Sequence, residues 1–281
     1  MSSLEPDRAR IRQVIAAAVV VLFLVVGALA LKDSWAPAPA PPAKAPAGAR
    51  GPAIAAPQPL AVPSPYLGRA ELLAAAAAAS AAYAGGEAPN GPSGLVGRTF
   101  RLRIPFGCSG PGQDGDDAYW QYDEKTRTLR IRAAPTDWSD TAWVAQVAGD
   151  TAFDAVEGFW IPRPWSNADE CPPPVAAGEA PAAPSPQTFG VAEFFEPGGS
   201  RLQRRGARAY EHVLKIDEPP AGRPVLSLVL GGRITGFADG QAVRCHGDTP
   251  DHRPVCLAAV DLDYVAFEDQ GSGAILAEWR N

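Results

Sequence analysis

Residues 14–31, VIAAAVVVLFLVVGALAL, run for eighteen positions without a charge. At about 1.5 Å of rise per residue, a helix of that length reaches roughly 27 Å, close to the thickness of a bilayer's hydrocarbon core. A segment able to span places everything after it on one side of a membrane, and this governs how the rest of the chain is read. Arg8, Arg10 and Arg12 precede the run and only Lys32 follows it closely. The excess of positive charge keeps residues 1–13 in the cytoplasm and sends the C-terminal part out. The competing reading is a cleaved signal peptide, with Ala28-Leu29-Ala30 as the small-residue site. Against it, the run exceeds the apolar core of about 7 to 15 residues usual in signal peptides, and the site lies inside the run rather than beyond it. The expectation is an uncleaved, single-pass anchor. Either reading exports the chain.

Residues 32–65 read as an Ala/Pro-rich disordered spacer. Between positions 36 and 65, ten of thirty residues are proline, most others are alanine, and only Lys44 and Arg50 are charged. Such a segment buries too little side chain to offset its ordering and favours extended polyproline conformations of about 3.1 Å per residue. Residues 66–94 form an Ala-rich helix and a linker: six consecutive alanines flanked by Leu72 and Leu73 favour a helix over 66–84, Gly85-Gly86 stop it, and a GPSG run at 91–94 follows. That helix either docks on the domain or stands in solvent.

The folded part, residues 95–281, carries 18 Lys and Arg against 26 Asp and Glu, a net charge of −8. This argues against nucleic acid as a partner and against broad adhesion to anionic lipid. Lys125 and Lys215 are its two lysines. The wealth of Ala, Pro and Arg points to a GC-rich bacterial source, so the expected location is the inner membrane, with the domain in the periplasm.

Within the domain, Phe100, Leu102, Ile104 and Phe106 alternate with Thr99, Arg101, Arg103 and Pro105, the period of a strand with one buried face. Segments 118–122 and 128–133 flank a polar turn and form the clearest hairpin. Further short strands are expected at 143–147, 156–161, 188–195, 225–230, 234–238, 241–245, 255–260, 262–267 and 274–279. A basic return strand or short helix is expected at 201–208, and a Pro-rich surface loop at 172–187. Val225 to Leu230 is apolar throughout, as in a strand buried on both faces. Ten or eleven short strands with frequent turn signals predict a mainly β domain, a sandwich or barrel.

All four cysteines, Cys108, Cys171, Cys245 and Cys256, fall on the exported side, and an even count there reads as two disulfides. Cys245 and Cys256 sit at matching strand ends, which leaves Cys108 with Cys171. The alternative is zinc, because His246 and His252 complete a Cys-His-x5-His-x3-Cys set. The spacing is tighter than usual ligand pairs, and neighbouring strand residues point to opposite faces. The disulfide reading is preferred, and no metal is expected.

No nucleophile elbow, phosphate loop or dinucleotide fingerprint is complete, so neither a catalytic residue nor a cofactor is assigned. Asp114, Asp116 and Asp117 lack the register of a calcium loop. Arg101 and Arg103 share one strand face, Arg130 and Arg132 another. Were the two strands adjacent, the four guanidinium groups would form a stripe suited to carboxylate or phosphate. Cross-strand pairing with acids is the plainer account. Arg201, Arg204, Arg205 and Arg208 form a second cluster, and Trp160 and Trp165 beside prolines form a candidate aromatic edge.

The layout of short tail, span, proline-rich spacer and terminal domain resembles that of envelope proteins that hold a binding domain out from the inner membrane. Energy-transducing TonB proteins share this outline, but their Glu-Pro and Lys-Pro repeats and small α/β domain are not matched by the Ala/Pro spacer and long β-rich domain. The expectation is a non-enzymatic protein, anchored by its N-terminal helix, whose β domain binds an envelope protein or polymer. The alternative is an exported hydrolase using loop carboxylates, which requires a cleft and a carboxyl group of raised pKa.

Overall fold

The computed structural model describes residues 65–87, 91–162, 168–172, 188–199, 204–206, 208–218, 220, 224–249 and 252–281. The apolar run at 14–31, the spacer up to residue 64, most of the loop 172–187, Arg201 and Trp165 lie outside the described residues. Among the described residues no helix is long and apolar enough to cross a membrane.

The organising strand is β10 (Val255–Asp269), fifteen residues long and apolar on both faces over most of its length. Its first half lies parallel to β6 (Phe189–Phe195) and antiparallel to β9 (Val243–His246). Its second half lies antiparallel to β8 (Leu226–Ile234) and β11 (Ala274–Arg280). With β1 (Thr99–Phe106), β5 (Ala155–Trp160) and the short β4 (Thr136–Asp137), the order is β1-β8-β10-β6-β5-β4. A second sheet has the order β2-β3-β7, from β2 (Ala118–Asp123), β3 (Thr128–Ala133) and β7 (Tyr210–Lys215). The outer strands β1 and β4 do not pair with each other, so the described residues are mainly β, with two sheets and no barrel among them.

The two sheets share one core. Phe100, Leu102 and Ile104 of β1, Leu228 and Leu230 of β8, and Val265 and Phe267 of β10 meet Trp120, Leu129, Ile131 and Tyr210 of the second sheet. The opposite face of β5, β6 and β10 is covered separately, by Val144 and Val147 of α2 (Ala142–Ala148) together with Trp138 and Phe237. Strands covered on both faces read as apolar runs rather than alternations. This is why 226–230 and 255–260 show no period of two.

Several sequence expectations are corrected. Residues 143–147 are helical, not a strand: Val144, Val147 and Ala148 are the buried positions, at helical spacing, and Gly149 ends the helix at φ 57°. The expected strand 225–230 continues through Gly231 and Gly232 as β8, where a Cβ on Gly232 would stand 2.0 Å from the Asp261 carbonyl oxygen. Facing it, the β10 register shifts between Leu262 and Tyr264. The expected strands 255–260 and 262–267 are therefore one bent strand. Of the expected strand 234–238 only Ile234 is in a strand, as the end of β8. Residues 204–206 and 208 form neither strand nor helix, whereas 210–215, assigned no element from sequence, is β7.

The Ala-rich helix, α1 (Arg69–Gly85), docks. Leu72 and Ala76 are buried in the core, and Leu67 just before it forms a parallel bridge to Phe100. Gly86 caps its C-terminus at φ 65°, donating to the Ala82 and Tyr83 carbonyls.

Candidate functional site

Both disulfides join the expected partners. Cys245 and Cys256 are directly opposite in the β9/β10 register, with Cα atoms 4.0 Å apart. Cys108, at the end of β1, bonds Cys171 with Cα atoms 5.5 Å apart. The Cys245–Cys256 bond takes both sulfurs out of the Cys-His-His-Cys set. His246 lies edge-on to Tyr83, its ring centroid 6.3 Å away, and the His252 Nδ1 is 2.5 Å from the Thr249 hydroxyl. Among the described residues no three His, Cys, Asp or Glu side chains converge as metal ligands would.

Each disulfide lies beside one part of α1. The buried Arg69 opens the helix and donates through Nε to Asp169 at 2.7 Å, two residues before Cys171. It also donates to the Arg103 carbonyl. Further along, the Cys256 sulfur is 3.9 Å from the Ala76 carbonyl oxygen, and the Tyr83 hydroxyl donates to the Gly247 carbonyl at 2.9 Å.

Between α1 and β9 runs an open groove of about 620 Å³. Ala75, Ala78, Ala79 and Ala82 form one wall, Ala242 and Val243 the other, with Tyr83, Gln146, Gln241, Asp239 and Arg244 at its margins. The small side chains leave the space; a helix of leucines would fill it. The margins are braced from within: Gln241 donates to the Gly91 carbonyl at 2.6 Å, and Arg244 donates to the Val147 and Ala148 carbonyls and pairs with Asp239 at 3.3 Å. A volume of several hundred Å³ lies in the range of sites for small molecules or single peptide side chains.

The four arginines singled out from sequence do not form a stripe. Arg101 and Arg103 lie on β1 in the large sheet, Arg130 and Arg132 on β3 in the second. The alternation placed each pair correctly on its own strand, but adjacency of the strands depended on the sheet order. Arg103 reaches across β8 to Glu268 at 2.9 Å, Arg101 lies over the Tyr264 ring at 5.3 Å, and Arg130 pairs with Glu211 at 3.3 Å. Arg132 donates to the Tyr119 hydroxyl at 3.3 Å and lies 3.9 Å from Asp114. In the other cluster, Arg205 and Arg208 turn inward to the carbonyls of their own turn, at Arg208, Ala209, Arg205 and Arg204. Trp160 packs against Trp138 and Trp143, with ring centroids 4.9 and 6.2 Å away.

A pair of acids emerges that was not identified from sequence. Glu157 on β5 and Glu193 on β6 are Cα partners, so both side chains leave the large sheet on the same face. That face looks toward the second sheet, and the neighbouring positions on it are Phe159 and Phe195, both buried. Glu157 is 5% exposed and accepts the backbone N–H groups of Arg205 at 2.8 Å and Gly206 at 2.9 Å. Burial, reinforced by the charges of Asp261 and Glu157, raises the Glu193 carboxyl to about 7, against a hydrogen bond from the Leu262 backbone that acts the other way. The space between them is about 20 Å³, room for a water and not for a substrate. The signal was present in AVEGFW and FGVAEFF, each a lone acid inside an apolar strand.

In the acidic loop, Asp114 accepts from the Tyr119 hydroxyl, and Asp116 accepts the Gln113 backbone N–H at 2.8 Å. Burial and the neighbouring Asp116 raise the Asp117 carboxyl. Compared with protein-family models, with curated proteins and with solved structures, the chain finds a match in none of the three.

Proposed function

We propose that this chain is a single-pass protein of the bacterial inner membrane, N-terminus in the cytoplasm, whose exported β domain is a binding module for an envelope protein or polymer. Two disulfides support export to an oxidising compartment. The uncharged run at 14–31 and the arginines before it support the anchor and its orientation.

The observation that carries the binding reading is the preformed groove between α1 and β9, open along its length and edged by the exposed Tyr83. The groove's walls are alanine and valine and its margins polar, and the Tyr83 ring, held by the hydroxyl's bond to the Gly247 carbonyl, offers contact area at low entropic cost, as aromatic side chains do at recognition surfaces. The hydrolase reading is weaker on geometry. The raised carboxyl of Glu193 stands on a strand and faces a space too small for a substrate, and Asp117, the raised carboxyl on a loop, is exposed and lines neither that space nor the groove.

Photo-crosslinking in intact cells from positions 78 and 83 tests this. A discrete adduct at both positions, the one from position 83 lost when Ala78→Trp fills the groove, is the expected result. Hydrolysis of chromogenic ester or glycoside substrates by the purified domain, abolished by Asp117→Asn or Glu193→Gln, would overturn it in favour of the enzyme.

A further inference from the structure

Two acids facing each other on the inner side of a sheet oppose every local rule of patterning: like charges opposite one another across strands destabilise, and that face is otherwise apolar. Such departures mark functional devices when the surroundings are built to hold them. Here they are. Glu157 is tied by two backbone N–H groups of the turn at Arg205 and Gly206. The Arg205 guanidinium stacks over the Tyr210 ring at 3.9 Å and donates to the Ala209 carbonyl at 3.1 Å. Tyr210 begins β7, so the contact joins the large sheet to the second one.

We infer that Glu157 and Glu193 form a proton-controlled clasp, which holds the Arg205–Gly206 turn against the large sheet while Glu193 carries its proton and loosens it when Glu193 ionises. The groups facing the pair are Asp261 and the Leu262 N–H from β10, Arg205 from the turn and Tyr210 from β7, with the Asn281 side chain at the rim of the cavity. The two turn amides satisfy the Glu157 side chain, whereas the Arg205 guanidinium is taken up by the Arg208 and Ala209 carbonyls and the Tyr210 ring. When the Glu193 proton leaves to solvent, a second negative charge appears directly across the strands and near Asp261. No further cation faces it among the described residues of the site. Hydrating that charge requires the cavity to open, and the turn is the part that can open: among the described residues its bonds to the large sheet are the two to Glu157, whereas β5 and β6 are locked by their ladder.

The control depends on geometry and charge together. Glu193→Gln keeps the shape of the protonated acid and cannot ionise; Glu157→Gln removes the carboxylate that the amides grip. The experiment is hydrogen exchange of the Arg205 and Gly206 amides in the disulfide-bonded protein between pH 5.5 and 8.5, corrected for intrinsic exchange. In the natural sequence, protection should fall at least about tenfold, the equivalent of one pKa unit, with a midpoint near 7. Glu193→Gln should hold full protection throughout, and Glu157→Gln, which leaves one acceptor oxygen where two N–H groups had one each, should lower protection at every pH. Flat protection in the natural sequence, or the same fall in Glu193→Gln, overturns the inference. Should Glu193→Gln fail to fold, the carboxyl carbon resonance of Glu193 in the natural sequence decides. A titration matching loss of the two amides supports the clasp, and a mismatch ends it.

Discussion

Arg69 and Asp169 stand a hundred residues apart in sequence and 2.7 Å apart in space, with Arg69 buried and Asp169 half exposed. Through this pair the first turn of α1 is attached to the segment that Cys171 fixes to the end of β1. Arg69→Ala should lower stability by about 2 kcal/mol, the range for hydrogen bonds to charged groups together with the lost packing of its stem. Asp169→Asn should cost about 1 kcal/mol or less, since the exposed carboxylate is already partly solvated. Denaturant titration of the two variants checks the order, and exchange of the α1 amides shows whether the helix loosens first.

Reduction should unfold or loosen the domain. By loop closure, the Cys245–Cys256 bond contributes about 3 kcal/mol and Cys108–Cys171 about 4, against a net stability of about 5 to 15 for a typical domain. Thermal melts with and without a dithiol reductant measure the loss, and peptide mapping under non-reducing conditions must recover these two links.

Gly232 and Gly158 should tolerate no side chain. A Cβ on either would lie 2.0 Å from a neighbouring strand's carbonyl oxygen, at Asp261 and Val191 respectively. Backbone cannot yield as a flexible side chain can. Gly232→Ala or Gly158→Ala should each cost about 3 kcal/mol or more, or leave the protein insoluble. Gly198→Ala is the control: nothing lies within 4 Å of its Cβ, so only the φ of 73° opposes it, at about 1 kcal/mol.

Stability should fall as the pH rises through neutrality. Glu193 binds its proton more tightly folded, at about 7, than its ordinary value of 4.5. Between those values the native state holds more protons than the unfolded chain, so this contribution is complete below about 4.5 and is lost as the pH passes 7. Screened at a half-buried site, the loss should be about 1 to 2 kcal/mol. Comparing denaturation midpoints at pH 5.5 and 8.5 reads it, and Glu193→Gln should remove the difference.

A periplasm-dependent reporter fused after Asn281 should be active, and the mature chain should retain its N-terminus. Recovery of a protein beginning at Leu31 would establish cleavage instead of an anchor.

The sequence alone determined what depends on neighbours along the chain. Alternation in 99–106 and 128–133 set the buried faces of β1 and β3, the alanines and Gly86 set α1, and the spacing of Cys245 and Cys256 around a short loop set their bond. These signals are local because side-chain direction and turn chemistry repeat within a few residues. Tertiary structure decided the rest. Residues 143–147 are short and apolar enough for either element, and became helical because one face covers β6 and β10. The strand expected over 225–230 runs on through Gly231 and Gly232 because a neighbouring backbone presses against Gly232, which its neighbours along the chain do not reveal. Sheet order separated the four arginines and brought Glu157 opposite Glu193, since which strands lie side by side is set by how two faces bury their area together.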